Sequence, residues 1–190
     1  MTRPRRTELL VALGTILLGG CAGSARFLDP QADLGYYERV AILPFSSLTA
    51  DRVAGDKVAS VFFTELLQSH VAAAVDPGQL AAAMVQARGG TPATTPWSAA
   101  ELAKLAESVK AQGMFEGVVR EYSLERSGRD SFPLVSLELR LVDAASGRVI
   151  WTWSDTRRGG PAFPLWPWRE TRTLGELTAD MCRDALATLH

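Results

Sequence analysis

Apolar residues recur along this chain at two kinds of spacing, and the spacing changes part-way along. Residues 39–44 (RVAILP) form a short apolar run ended by a proline, the pattern of a buried strand. Residues 45–51 read as a polar loop. Over 53–69, Val58, Val61, Phe62 and Leu66 return at intervals of three and four, which predicts a helix with one apolar face; Glu65 and Ser69 fall on the same spacing. Ala73 to Val75 reads as a brief strand. Asp76 then caps a helix, with Pro77 at its first position and Gln79 closing a capping box. That helix is expected to reach about Ala87 and to stop at Gly89-Gly90. A Pro/Thr loop over 91–97 leads to a second capping box, Ser98 with Glu101. The helix it opens runs through Leu102, Leu105, Ala106 and Val109 and ends near Gly113.

From there the period shortens to two. Met114 to Glu125 reads as a strand. Val135, Leu137, Leu139 and Leu141 alternate with Ser136, Glu138 and Arg140, so the next strand has one buried and one wet face. Ala145-Ser146-Gly147 is a turn, after which Val149, Trp151 and Trp153 alternate on a third strand. Those two strands should form an antiparallel hairpin. Residues 157–171 read as loop, and Thr173 with Glu176 caps a final helix through Leu177, Met181, Ala185 and Leu189. This order predicts an α/β fold, a mixed central sheet with about four helices packed on it, forming one domain over 39–190.

The N-terminus follows another pattern. Arg3, Arg5 and Arg6 precede an apolar run from Leu9 to Leu18. The run is too short for a permanent span, which needs roughly 20 apolar residues. A charged start, a short apolar core and small residues before a cut site make an export signal over residues 1–20. Leu18-Gly19-Gly20-Cys21 resembles the lipobox of bacterial lipoproteins. That resemblance implies a diacylglyceryl thioether on Cys21, cleavage before it and acylation of the new amine. Two or three acyl chains hold a protein firmly, at about 0.8 kcal/mol per buried methylene. By resemblance to enterobacterial sorting, Ala22 in place of an aspartate implies the outer membrane, with the domain facing the periplasm. Residues 21–38 then read as the lipidated cysteine and a short tether.

Charge and chemistry narrow the picture. The chain has 20 basic and 21 acidic side chains, and residues 1–20 contain three arginines and one glutamate, so the remainder carries a net charge of −3. Nucleic-acid binding calls for a basic surface, so no nucleic-acid partner is expected. With Cys21 blocked, Cys182 has no intramolecular partner; its apolar helical setting predicts a buried, inert thiol. The only histidines are His70, after a helix end, and His190 at the terminus. HExxH, CxxC, GxGxxG and Walker patterns are all missing, so neither metal nor cofactor is expected. Ser46 could serve as a nucleophile only if the fold brought His70 and a carboxylate to it. No enzymatic activity is expected.

Phe163-Pro164-Leu165-Trp166-Pro167-Trp168 stands apart. Its prolines keep it out of helix and sheet. Phe163, Leu165, Trp166 and Trp168 either cover one end of the sheet or are offered to a partner protein or the membrane.

Val40-Ala41-Ile42-Leu43-Pro44-Phe45, taken with residues 139–151 (LRLVDAASGRVIW), is similar to motifs of a broad group of periplasmic domains. The group includes curli-secretion-channel lipoproteins, outer-membrane lipoprotein activators of penicillin-binding proteins, and the N-terminal domain of the Tol-system β-propeller protein. The resemblance covers roughly residues 39–155. It implies a mixed α/β domain used in assembly and binding rather than catalysis. Curli-type channels insert additional amphipathic hairpins, and this chain has no two long alternating segments to spare for them. The synthase activators carry a long tether, and this one is short. The expectation is a non-enzymatic lipoprotein that acts in envelope assembly by binding another envelope protein. The alternative is an oligomeric secretion or transport component related to curli-type export channels; the sequence leaves the oligomeric state open.

Overall fold

A computed structural model describes residues 24–88, 97–128, 130–160, 171 and 173–189. Its strands are β1 (Ala25–Leu28), β2 (Arg39–Ile42), β3 (Ser46–Ser47), β4 (Ala73–Ala74), β5 (Gly113–Ser127), β6 (Asp130–Asp143) and β7 (Val149–Arg158). Its helices are α1 (Ala54–Ser69), α2 (Pro77–Arg88), α3 (Ala99–Val109) and α4 (Leu174–Leu186). The strands make one mixed sheet in the order β1-β7-β6-β5-β2-β4, with β3 also on β5. β2 is parallel to β4 and β5, whereas β5-β6-β7-β1 is antiparallel throughout. This is the mixed α/β architecture that the change of period predicts.

The helices start where the sequence places them. Ser98 and Thr173 each accept a hydrogen bond from the backbone of the glutamate three residues on, and each glutamate reaches back to its cap. At α2 half of the expected box forms. The Asp76 carboxylate accepts from the Gln79 amide at 2.9 Å, but the Gln79 side chain accepts from the Arg39 guanidinium. The 145–147 turn is present, with Gly147 at φ +72°, a conformation that suits glycine. His70 closes α1 in the left-handed region at φ +57°.

Three expectations need correction. Of the expected tether over 21–38, the described part, residues 24–38, is not simply a tether. β1 hydrogen-bonds along β7, a 3₁₀ turn follows at Leu34–Tyr36, and Tyr37 is buried. The run reads as linker because its strand is exposed on both faces, so it has no apolar alternation. Residues 45–51 are not wholly loop, since Ser46–Ser47 pair with Val118–Val119 of β5. On β7 it is Ile150, not Val149, that is buried beside Trp151 and Trp153. The register skips a residue there, because Leu141 pairs with Trp151 but Val142 with Val149. Such a bulge turns a strict alternation over to the other face.

The core lies on both sides of the sheet. The larger part sits under α1 and α4, where Phe45, Phe62, Phe115 and Trp151 form a chain of rings at centroid spacings of 5.7, 5.0 and 6.1 Å. The smaller part packs Leu80, Leu102, Leu105 and Val109 against Ala41, Leu43 and Met114 under α2 and α3. Beyond it, the same side of β5-β6-β7 is polar, and no described helix covers it.

Candidate functional site

The N-terminal segment is held to the domain at several points. Besides the β1–β7 ladder, the Asp29 amide donates to the Ile150 carbonyl at 2.8 Å, and Arg148 pairs with Asp29 at 3.4 Å. The Tyr37 hydroxyl donates to Asp143 at 3.3 Å. Burial, and then the Asp143 carboxylate beside it, push the Tyr37 hydroxyl up to about 12. Burial works against the charged Asp143, but hydrogen bonds from Ser146 and Tyr37 overcome it and leave its pKa below the usual carboxylate value. Cys21, at the head of this segment, lies outside the described residues, as do Phe163, Leu165, Trp166 and Trp168. Gly160 and Thr171, the nearest described positions on either side of Phe163 and Trp168, are paired in an isolated bridge.

The candidates for catalysis are not brought together. Ser46 precedes the start of α1 and His70 closes its far end. Sixteen helical residues separate them, about 24 Å at 1.5 Å per residue. No described group of three or more His, Cys, Asp or Glu side chains could hold a metal ion. Glu65, although charged, is not solvated. It is buried between α1 and α4 and meets Arg183 at 3.3 Å. The sequence hint was its place on the apolar stripe of α1.

Cys182 is a free, fully buried thiol. Burial, with Glu65 nearby, pushes it up from 9.0 to about 12. Folding therefore favours the protonated thiol. The stability this represents is complete below pH 9 and is lost as pH rises toward 12. Thermal unfolding should show a falling midpoint between pH 9 and 11, with a shallower fall in Cys182→Ala. Parallel curves for the two proteins would refute that assignment.

Two further surfaces stand out, of which the sequence showed only the second, as the wet face of β6. An apolar groove of about 300 Å³ runs between α1 and α2, lined by Ile42, Pro44, Ala59, Phe63, Leu80 and Met84, with Asp56 and Ser60 also on its wall. Its residues come from three separate segments, so no local pattern announces it. The polar side of the sheet carries cross-strand pairs, Arg120–Glu138, Arg140–Glu116 and Ser136 with Thr156. Exposed pairs of this kind are worth roughly 0–1 kcal/mol each, so they keep the face soluble more than they hold it together.

No protein-family model matches the sequence, and no curated protein matches it. Solved structures do. The chain is similar to a PelC dodecamer from Paraburkholderia phytofirmans, with a TM-score of 0.60 and 19% identity, over 89% of this chain and 99% of that one. It is also similar to lipoprotein GNA1162 from Neisseria meningitidis, with a TM-score of 0.54 and 18% identity, over 77% of this chain and 96% of that one. The C-terminal domain of LpoB from Escherichia coli matches at a TM-score of 0.47 and 15% identity, over 63% of this chain and 82% of that one. The first two likenesses establish a shared fold. It is a fold that a bacterial lipoprotein uses. Among the described residues no helix is long and apolar enough to cross a membrane.

Proposed function

We propose that the chain is a non-enzymatic lipoprotein, anchored in the outer membrane through acyl chains on Cys21, whose periplasmic α/β domain serves envelope assembly by binding another protein. The observation that carries this reading is the position of β1. The strand is hydrogen-bonded into the sheet from Ala25 onward, four residues after Cys21. Four residues span at most about 14 Å, so a lipid on Cys21 would hold the folded domain directly against its membrane. The separation of Ser46 from His70 supports the non-enzymatic part. Phe163, Leu165, Trp166 and Trp168 are proposed as a contact for the partner or the membrane.

A second reading has its own support. The likeness to PelC spans nearly the whole of that chain, and that protein is a dodecamer. Here the bound protein would be further copies of the same chain, in an oligomeric secretion or transport component.

Cys21→Ser tests the anchor. The variant should fold but leave the membrane fraction and take up no acyl label. A variant that stays in that fraction without label would sink the reading. Light scattering of detergent-extracted wild type separates the two forms of it. A ring of many copies favours the second, and a monomer removes it.

A further inference from the structure

Two independent features of the fold point at the same end of the sheet. The first is strand register. Ala25 faces Ser154, and β1 runs antiparallel to β7, so its N-terminal end is directed toward Arg158. Arg158 lies four residues beyond Ser154 along β7, about 13 Å, within the 14 Å that separates Cys21 from Ala25 at full stretch. Val149, at the other end of β7, lies five residues away in the opposite sense, about 17 Å, and the 144–148 turn lies farther still. The lipid-bearing residue can reach the first end and not the second.

The second feature is exposed aliphatic surface. Leu124 is 56% exposed on the overhanging part of β5, opposite Pro133, whose carbonyl accepts from the Gly159 amide. Leu48, 66% exposed, donates its amide to Val119 on the same edge of β5, and Val53, 51% exposed, stands at the start of α1. Exposed Arg52 and Arg126 flank them. Exposed Glu125 and Asp130 lie there too, so it is the aliphatic side chains, with long arginine stems beside them, that suit the boundary between lipid headgroups and acyl chains.

We propose that this end of the domain, the β5–β6 hairpin with the 48–53 segment, is a phospholipid-binding face that rests on the membrane holding Cys21. The inference rests on the reading of Cys21 as lipidated. It fixes which way the domain stands: the 144–148 turn and the end of α3 point away from the bilayer, about 36 Å along β5 from Leu124.

The test uses the full lipidated chain in vesicles of phosphatidylethanolamine and phosphatidylglycerol that carry a headgroup-attached quencher. Leu124→Cys and Glu107→Cys are labelled separately with a maleimide dye. Both sites are exposed, and buried Cys182 does not compete. The pair Leu48→Cys and Leu67→Cys repeats the comparison on other elements. The dyes at 124 and 48 should lose most of their emission, and those at 107 and 67 should keep theirs. Equal quenching at both ends, or stronger quenching at 107, overturns the proposal, as does an unquenched dye at 124 shielded by a bound protein. Labelling of the unsubstituted chain at Cys21 is a different result, since it removes the lipid itself and both readings with it.

Discussion

Trp151→Ala is expected to cost the domain about 3–5 kcal/mol, the range for truncating a large buried aromatic. Trp151 is 1% exposed and closes the line of rings that crosses the sheet, edge-on to Phe115 at 6.1 Å. Its indole Nε1–H donates to the Thr188 hydroxyl at 2.9 Å, which ties β7 to the end of the chain after α4. Thr188 also donates to the Ala185 carbonyl, so the lost indole bond leaves that hydroxyl with a partner. Most of the loss is therefore cavity and contact, with about 1 kcal/mol from the hydrogen bond. Domains of this kind hold about 5–15 kcal/mol in all, so the variant should sit near the edge of folding. The urea midpoint measures it. Trp151→Phe, which retains most of the ring volume, should lose much less. A loss below about 1.5 kcal/mol for the alanine variant would mean that this part of the core collapses around the gap.

Gly55→Ala is expected to destabilise, against the usual preference. In a helix alanine is better than glycine by about 1 kcal/mol. Here a β-carbon on Gly55 would lie 2.1 Å from the Phe45 carbonyl oxygen, which is backbone and cannot rotate away. The Phe45 ring is fixed in turn, because it occupies the space beside Gly117, where a β-carbon would come within 2.6 Å of it. The first turn of α1 must then lift off the β2–β3 connection. Overpacking of this sort costs about 1–3 kcal/mol, occasionally more, and exceeds the helix gain. Gly175, at the first turn of α4, has nothing within 4 Å of its would-be β-carbon. Gly175→Ala should therefore be neutral or stabilising. Equal effects at the two sites, read from thermal midpoints, would contradict the close approach at Gly55.

What the sequence disclosed depended on how local each signal was. The capping boxes at Ser98 and Thr173 and the 145–147 turn are complete within a few residues, and each appears in the fold. The alternation of Val135 to Leu141 carried the two faces of β6 correctly. β1 was illegible because its partner is β7, far away in sequence, and its own four residues bury nothing. The Ile150 bulge was illegible because alternation alone cannot show where a strand gains a residue. Glu65 shows the same limit from the other side: its partner Arg183 comes from another helix, 118 positions on. The apolar groove between α1 and α2 and the aliphatic end around Leu124 exist only once the chain is folded.

The pairing of β1 with β7 also orders events in time. Ala25 meets Ser154, 129 positions on, only after most of the chain has been made. Closing so long a loop comes late, because its entropic cost precedes any reward from the contact. Until then β1 has no strand to join. That interval is when membrane enzymes would need the cysteine within reach, for acyl transfer and for cleavage at the bond before it. Once β7 is in place, β1 zips onto it, and on the proposed reading this would draw the lipidated end against the sheet. If Cys21 is processed as proposed, the outermost strand would act as a delayed clasp, leaving the N-terminus open first and fastening it afterwards.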